Sequence, residues 1–193
     1  MARPLEFDEV AALDGAVECF WRNGYEKTSV RDLAHEMGIN CTSLYNTFGN
    51  KRAVFDLALE RYLDLSMRER IARLESSMPP KRAVHAFIAE IIRRSLTDDD
   101  HRGCLLVNSA MEMAPQDRGL RRAIAARLGE LEGFFRRCVT AAQRDGSIPR
   151  ERDAADLARL LLGVVLGIRV LARSNPDRAL LVGLARPALS LLD

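Results

Sequence analysis

Side chains suited to hydrogen bonding with phosphates and nucleotide bases are concentrated between residues 40 and 51. The segment contains hydroxyls, side-chain amides, a phenol, a thiol and an ammonium group: Asn40, Cys41, Thr42, Ser43, Tyr45, Asn46, Thr47 and Lys51. Hydroxyls and amides are weak catalysts on their own, but Asn can pair with adenine and Thr can contact a thymine methyl group. The segment therefore predicts contact with DNA rather than a catalysed reaction.

Two short helices joined by a turn would present these side chains. Four apolar residues follow the i, i+3, i+4, i+7 spacing of a helix buried on one side: Val30, Leu33, Ala34 and Met37. Thr28 or Ser29 can cap this helix, and Gly38 can supply the left-handed residue that ends it. Asn40 can cap the next helix, from Cys41 to about Thr47. DNA-binding helix-turn-helix proteins place such a second helix in the major groove.

A third helix, from about Glu9 to Asn23, would complete a small core. Its apolar residues recur at helical spacing: Val10, Leu13, Val17, Phe20 and Trp21. After the second short helix, Gly49, Asn50 and Lys51 supply a turn, a cap and a cation at a helix start that can bind phosphate. We therefore expect a three-helix, helix-turn-helix DNA-binding domain over residues 1–52.

The segment from about Asp14 to Leu57 resembles the DNA-binding domain of the TetR/AcrR family. About a dozen positions agree in order and spacing: Ala16 through Phe20, Gly24-Tyr25, Thr28-Ser29-Val30, Leu33-Ala34, Gly38-Ile39, Ser43-Leu44-Tyr45, Phe48-Gly49 and Lys51. Cys41 stands where the family often has Lys, and Thr42 and Asn46-Thr47 also depart from the usual residues. The resemblance therefore implies the mode of DNA binding and not the operator sequence.

The resemblance also implies individual roles. Thr28 would bind a phosphate at the start of the second helix, while Tyr45 and Lys51 would hold the DNA backbone. Three residues would lie nearest to base edges or their flanking phosphates: Thr42, Asn46 and Thr47. The full set expected to contact DNA is Thr28, Ser29, Asn40, Cys41, Thr42, Ser43, Tyr45, Asn46, Thr47 and Lys51.

The charge of the first domain does not have the basic bias typical of DNA-binding domains. Residues 1–52 contain 6 Lys or Arg against 8 Asp or Glu, a net charge of −2. Counterion release depends on the phosphates contacted rather than on net charge, so we expect specific binding with modest non-specific affinity. Arg3 could act as a short arm beside the groove. A helical interaction protein without DNA binding remains an alternative.

Length and composition set the wider class. The chain has 193 residues, 48% of them hydrophobic, and a net charge of +2, which is typical of a globular protein. We find no signal peptide and no apolar run of about 20 residues, so we expect a cytoplasmic protein without membrane contact. No Glu-x-x-His pair, nucleophile elbow or phosphate loop occurs, and the three histidines lie on separate segments. An enzyme is therefore not expected, and no cofactor is assigned.

The four cysteines are spread widely: Cys19, Cys41, Cys104 and Cys138. No CxxC pair or Cys/His ligand spacing occurs, so no metal ligand is assigned. Reduced thiols are the expectation. A redox- or metal-responsive regulator that uses Cys104, with His101 and His85 as possible neighbours, remains an alternative.

The rest of the chain, residues 53–193, also reads as helical, because β-branched residues never alternate over a convincing window. The expected helices run from Asn50 to Leu74, Lys81 to Leu96, Gly103 to Met113, Asp117 to Arg144, Asp153 to Ser174 and Asp177 to Leu192. The fold class is therefore all-α, with a C-terminal helical domain for ligand binding and dimerisation.

The last two expected helices are too apolar to face one neighbour and water elsewhere. Gly163 and Gly167, four residues apart, would let a second helix approach closely. We expect a four-helix interface between two protomers, formed by Leu160, Gly163, Val164, Gly167, Leu171, Leu181, Leu184 and Ala188. A homodimer would pair two reading helices on a pseudo-palindromic operator. Burial of these helices within one protomer is the alternative.

The segment from Arg102 to Asn108 resembles the start of the sixth helix in some TetR/AcrR subgroups. A pocket between helices could be lined by Phe87, Ile91, Cys104, Asn108, Met111, Phe134 and Cys138. Met and Phe suit an irregular apolar guest, and no cluster of charges indicates a charged one. Ordinary core packing is the alternative for each residue. The leading hypothesis is a ligand-responsive dimeric repressor, released from its double-stranded DNA operator by a small apolar effector.

Overall fold

The computed structural model describes residues 7–193, and within that range the chain is helical without a strand. The helices are α1 Glu9–Asn23, α2 Val30–Glu36, α3 Cys41–Phe48, α4 Lys51–Leu63, α5 Glu69–Ser77, α6 Pro80–Leu96, α7 Leu105–Glu112, α8 Arg118–Arg144, α9 Ala154–Ser174 and α10 Arg178–Ser190. A π-helical segment, Asp64–Arg68, joins α4 to α5. The all-α prediction is confirmed, while Arg3 lies outside the described residues.

Capping residues account for the helix boundaries of the first domain. The Asp8 carboxylate accepts the N–H of Val10 at 2.8 Å and so starts α1 at the predicted residue. The Asn40 side chain caps α3 by accepting the N–H of Ser43 at 2.8 Å. Gly38 has φ of 68°, the left-handed conformation that the turn requires. These three local predictions are confirmed.

The predicted single helix from Asn50 to Leu74 is interrupted. The π-helical segment widens it by one residue, and it carries Met67 toward the core and Arg68 toward α8. The Arg68 guanidinium donates to both carboxylate oxygens of Glu130 on α8, at 2.9 and 3.1 Å. The sequence has no Pro or Gly at this interruption. The contact with Glu130, which is distant in the sequence, accompanies it instead.

The head, defined here as α1–α3 with the N-terminal half of α4, has an aromatic core. The Phe55 ring on α4 meets Phe20 and Tyr25 edge-on, each with ring centroids 5.1 Å apart. The apolar core of the head therefore continues past residue 52, the boundary that the sequence suggested.

The body, defined as the rest of the chain, packs α6, α8, α9 and α10 around a continuous apolar core. Three rings fill its centre, with Phe134 lying 5.2 Å from both Phe87 and Phe135 between ring centroids. None of the helices in residues 7–193 combines the length and apolar character needed to cross a lipid bilayer.

Candidate functional site

The outward face of α3 is polar, as predicted. Leu44 and Phe48 are buried and anchor the helix to the head. The remaining side chains project away from the core to different extents: Thr42, Tyr45 and Asn46 are exposed, whereas Cys41, Ser43 and Thr47 are half-buried. Tyr45, at 53% exposure, is the most prominent apolar ring on this face. The arrangement offers a phenol, an amide and hydroxyls to a partner outside the chain.

Thr28 is placed differently from the prediction. Its side chain is only 1% exposed, and its hydroxyl donates to the Gly24 carbonyl at 2.6 Å. A hydroxyl has one proton to donate, so in this conformation Thr28 has none left for a phosphate. The resemblance placed a phosphate contact at Thr28, whereas the geometry gives this residue a role in holding the loop before α2.

Ser29 is the cap of α2. Its hydroxyl accepts the N–H of Asp32 at 3.1 Å, and the Asp32 carboxylate accepts the N–H of Ser29 at 2.8 Å. The hydrogen bond from Ser29 holds the pKa of Asp32 below its ordinary value, so this carboxylate stays charged. The start of α2 therefore already carries an anion, which disfavours a phosphate at the same helix end.

Lys51 places its charge beside the reading helix. Its ammonium nitrogen lies 4.3 Å from the centroid of the Tyr25 ring and 3.5 Å from the Glu26 carbonyl oxygen. Asn50 caps α4 by accepting the N–H of Ala53 at 3.0 Å. Lys51 makes no ion pair with a carboxylate in the described part of the chain, so its charge is available to a phosphate.

A cavity of about 50 Å³ lies in the body between the π-helical segment and helices α6 to α9. Three residues predicted to bind a ligand line it: Phe87, Ile91 and Cys104. Phe134 and Cys138 are buried in the core behind it and do not line it. The cavity has room for a few water molecules only, so a larger guest requires it to widen.

Asn108 and Met111, which were also predicted to bind a ligand, do not line this cavity. Helix α7 buries Leu105, Leu106 and Ser109, so the opposite face of α7 carries Asn108 and Met111 away from the cavity. The Asn108 amide donates to the Arg102 carbonyl at 2.8 Å, and Met111 is 78% exposed. A short helix of mostly apolar residues does not by itself reveal which face its neighbours cover.

Three arginines line the cavity, although the sequence suggested no charge there. Arg70 and Arg169 are 7% and 9% exposed, and Arg94 joins them from α6. Arg70 donates to Glu90 at 3.1 Å. Burial and then the charge of Arg94 lower the pKa of Arg70 to about 10. The signal that could have revealed this cluster is Arg169, which interrupts the longest apolar run of the chain.

Cys104 has no histidine beside it in the cavity. Neither His85 nor His101 lines the space that Cys104 lines, whereas Tyr62 and Arg169 do. Burial raises the pKa of the Cys138 thiol to about 11, which keeps that thiol protonated and unreactive. The two histidines suggested as partners for Cys104 are therefore not brought to it.

The head and the body are joined by contacts that the sequence did not predict. The Glu112 carboxylate on α7 accepts the N–H groups of Tyr25 and Glu26, at 3.1 and 2.9 Å. Arg102 donates to Glu18 at 2.6 Å, and its guanidinium lies 4.3 Å from the centroid of the Trp21 ring. The loop before α7 and the end of α7 therefore both contact the head.

The surface predicted for pairing divides into two parts. Val164, Leu181 and Ala188 are buried within the protomer's own core, so they are not available to a partner. A Cβ on Gly167 would lie 3.1 Å from Leu184, which means that α10 of the same chain uses this close approach. Leu171 and Leu184 are half-buried.

The other part of that surface remains open. Leu160 is 41% exposed, and a Cβ on Gly163 would have no neighbour within 4 Å. Further exposed apolar side chains lie on the same two helices: Val170, Leu180 and Val182. Helices α9 and α10 therefore present an apolar surface, although it differs in part from the predicted one.

Comparison with known proteins matches both parts of the chain. The family model described as "Bacterial regulatory proteins, tetR family" matches residues 12–58, and "Tetracyclin repressor-like, C-terminal domain" matches residues 80–186. The chain is 30% identical to the HTH-type transcriptional repressor ComR of Escherichia coli, over 98% of this chain and 90% of ComR. It is 32% identical to YezE of Bacillus subtilis, an uncharacterized HTH-type transcriptional regulator, over 100% of both chains.

A solved structure matches over the same length. It is a cysteine mutant of the TetR family transcriptional regulator CifR complexed with 26-bp double-strand operator DNA. The TM-score is 0.87 at 32% identity, covering 99% of this chain and 100% of the CifR chain.

Proposed function

Since the chain belongs to the TetR family of helix-turn-helix transcriptional regulators, which are not enzymes, we propose that it is a ligand-responsive dimeric repressor. It binds a pseudo-palindromic DNA operator in the absence of its effector. The observation that carries the proposal is the exposed polar face of α3 on a rigid, capped head. ComR is named a repressor, and the related CifR mutant is complexed with operator DNA.

DNA contact in this proposal rests on few residues. Tyr45 and Lys51 hold phosphates, while Thr42, Asn46 and Thr47 lie nearest to the bases. Ser29 and Asn40 act mainly through helix capping, whereas Cys41 and Ser43 contribute half-buried edges of the α3 face. Of the predicted contacts, only Thr28 is no longer proposed to contact DNA directly. The small number of cations makes binding depend on placed contacts rather than on bulk attraction.

Pairing in this proposal uses the exposed apolar residues of α9 and α10. Leu160, Gly163 and Val170 share a stripe on α9 at spacings of three and seven residues, which a second helix can cover. Two-fold pairing would present two α3 helices to two half-sites of DNA. The exposed apolar side chains support this interface, because a contiguous apolar patch on a protein surface commonly marks a site of protein association.

Ligand response in this proposal begins at the cavity. Leu63, Ser66 and Met67 line it from the end of α4 and the π-helical segment, and α4 also forms part of the head. A guest that widens the cavity would displace these residues and change the separation of the paired heads. This amounts to a shift between two populated states.

Binding of DNA from upstream of the chain's own gene tests the proposal. Fluorescence anisotropy across a salt series, with scrambled DNA of the same length as control, should give a specific complex that survives where the scrambled DNA dissociates. If neither DNA binds at low salt, the DNA-binding proposal fails. The acidic first domain then favours a helical interaction protein instead.

A further inference from the structure

The Arg169 side chain is a buried charge without an ionic partner among residues 7–193. It is 9% exposed, and it donates to the Ser95 hydroxyl and the Tyr62 hydroxyl, both at 3.3 Å. No carboxylate in residues 7–193 forms an ion pair with it. Arginine remains charged under all ordinary conditions, so the positive charge stays in the core.

The neighbouring groups do not neutralise this charge. Burial raises the pKa of Tyr62, so its phenol stays protonated and neutral. The Glu90 carboxylate pairs with Arg70, another arginine of the cavity wall, at 3.1 Å, and with Arg73 at 2.7 Å. The wall also carries Arg94, so cations outnumber anions around the cavity. A buried charge that lacks a counter-charge is costly, and proteins rarely retain one without a partner.

Most of the remaining cavity wall is apolar. Leu106, Leu128, Leu131 and Val165 surround the space beside Arg169. Such a wall suits a hydrocarbon or aromatic group, whereas the Arg169 guanidinium can donate two parallel hydrogen bonds to a carboxylate. The cavity therefore combines an apolar wall with a cation that can bind a carboxylate.

We propose that this cavity binds a small organic carboxylate with an apolar body, whose carboxylate is held by Arg169 and Tyr62. The apolar part lies against Leu106, Leu131 and Val165. The role of this ligand as an effector rests on the proposed function, whereas its binding does not. The sequence predicts an apolar ligand, whereas the buried Arg169 indicates that the ligand also carries a negative charge.

Binding must reshape the cavity, because about 50 Å³ is too small for such a ligand. Tyr62 is in a position to report this change to the head, since its ring meets Trp21 of α1 edge-on with centroids 5.1 Å apart. A carboxylate at Arg169 would take over hydrogen bonds that the Tyr62 hydroxyl now shares. Tyr62 would therefore contact the ligand carboxylate through its hydroxyl and Trp21 of the head through its ring.

Titration calorimetry and thermal melting of the full-length protein without DNA test the inference. The probes are sodium octanoate and sodium 3-phenylpropanoate, each compared with its neutral amide. We expect the acids to bind and raise the melting temperature, and the amides to bind at least about tenfold more weakly, because a hydrogen bond between two charged groups is about twice as strong as a neutral one. Failure of both acids to bind, or equal binding by the amides, overturns the inference.

Variants locate the site. Arg169→Gln should weaken acid binding at least about tenfold, whereas Arg173→Gln, exposed on the same helix, should leave it unchanged. Tyr62→Phe retains the ring, should weaken acid binding, and carries the test if Arg169→Gln does not fold. Unchanged acid affinity in either cavity variant overturns the assignment.

Operator binding is measured separately, so that the two proposals can fail independently. If the acids bind but the chain never binds DNA specifically, the carboxylate site is supported and the proposed function fails. If the operator complex forms and no acid binds the free protein, the proposed function stands and the carboxylate site is overturned.

Discussion

The Glu112 carboxylate accepts the backbone N–H of Tyr25 at 3.1 Å and so ties the end of α7 to the loop between α1 and α2. The same carboxylate accepts the N–H of Glu26 at 2.9 Å. Two backbone donors of the head are thus satisfied by one side chain of the body. The loop that precedes α2 is therefore held by Glu112, a residue of the helix whose first half lines the cavity.

Replacing Glu112 by Gln should loosen this loop. The amide retains one acceptor oxygen but presents an N–H₂ group to the second backbone donor, and it loses the charge. Amide exchange at Tyr25 and Glu26 should accelerate about tenfold, corresponding to a loss of about 1.4 kcal/mol of local stability. Hydrogen–deuterium exchange measures this, with Glu151→Gln on an exposed turn as control. Unchanged protection would show that other contacts hold the loop.

Replacing Tyr45 by Ala should weaken operator binding without unfolding the head. The ring is 53% exposed, so its loss leaves little cavity behind, whereas a hydrogen bond to a charged phosphate contributes about 1.5–3 kcal/mol. The dissociation constant should rise at least about tenfold. Met111→Ala, on an exposed site of the body, is the control. Equal affinity of the two variants would remove Tyr45 from the interface.

Replacing Lys51 by Gln should change the salt dependence of DNA binding. Each phosphate contact contributes about 0.9 to the slope of log K against log salt, so the proposed dimer, with two copies of Lys51, should lose about 2 in slope. Anisotropy titrations at several salt concentrations measure the slope, and Arg122→Gln on the exposed side of α8 is the control. If the slope for Lys51→Gln equals that of the parent chain, Lys51 contacts the Tyr25 ring and no phosphate.

Replacing Gly163 by Leu should separate the protomers. Within one chain a Cβ at this position would have no neighbour within 4 Å, so the monomer accommodates the larger side chain. Helix propensity even favours Leu, by about 0.8 kcal/mol over Gly. Sedimentation equilibrium should detect monomers, while Gly129→Leu, equally open on α8, should leave the dimer intact. A dimer of unchanged affinity in Gly163→Leu would place the interface elsewhere.

The ion pair between Arg68 and Glu130 should make stability depend on pH. The hydrogen bond from Arg68 lowers the pKa of Glu130 in the folded chain. Its contribution is therefore present above the unfolded value of about 4.3 and is lost as pH falls through the lower, folded pKa.

The variant Glu130→Gln should accordingly be destabilised at pH 7 and match the parent chain near pH 3. Because both partners are about one-third exposed, we expect a difference at pH 7 of below about 1 kcal/mol. Urea unfolding at the two pH values measures it. A variant that loses the same free energy at both pH values would assign the effect to packing rather than to charge.

Local chemistry explains which features the sequence predicted. The start and end of α1 follow from Asp8 and Gly24, and the outward face of α3 follows from the spacing of Leu44 and Phe48. Each of these signals acts over about one helical turn. The sequence can therefore fix them before any tertiary contact exists.

Tertiary neighbours explain what the sequence did not predict. Periodicity places Val164 and Leu160 near one another on α9, but only packing by the rest of the body buries the first and exposes the second. The charge cluster joins Arg70, Arg94 and Arg169 from three different helices, α5, α6 and α9. Helical spacing shows which residues share a face, and it does not show which element covers that face.

The π-helical segment between α4 and α5 has a consequence for how far apart two heads can stand. It contains one residue more than an α-helical course of the same length would, and two of its residues, Ser66 and Met67, line the cavity. Conversion to α-helix would rotate α4 relative to α5 by about 100° and shift it by about 1.5 Å, the values for one residue. Such a step has no stable halfway point, because a backbone hydrogen bond is made either to one carbonyl or to the next. The distance between the two heads would then change in one discrete step rather than continuously.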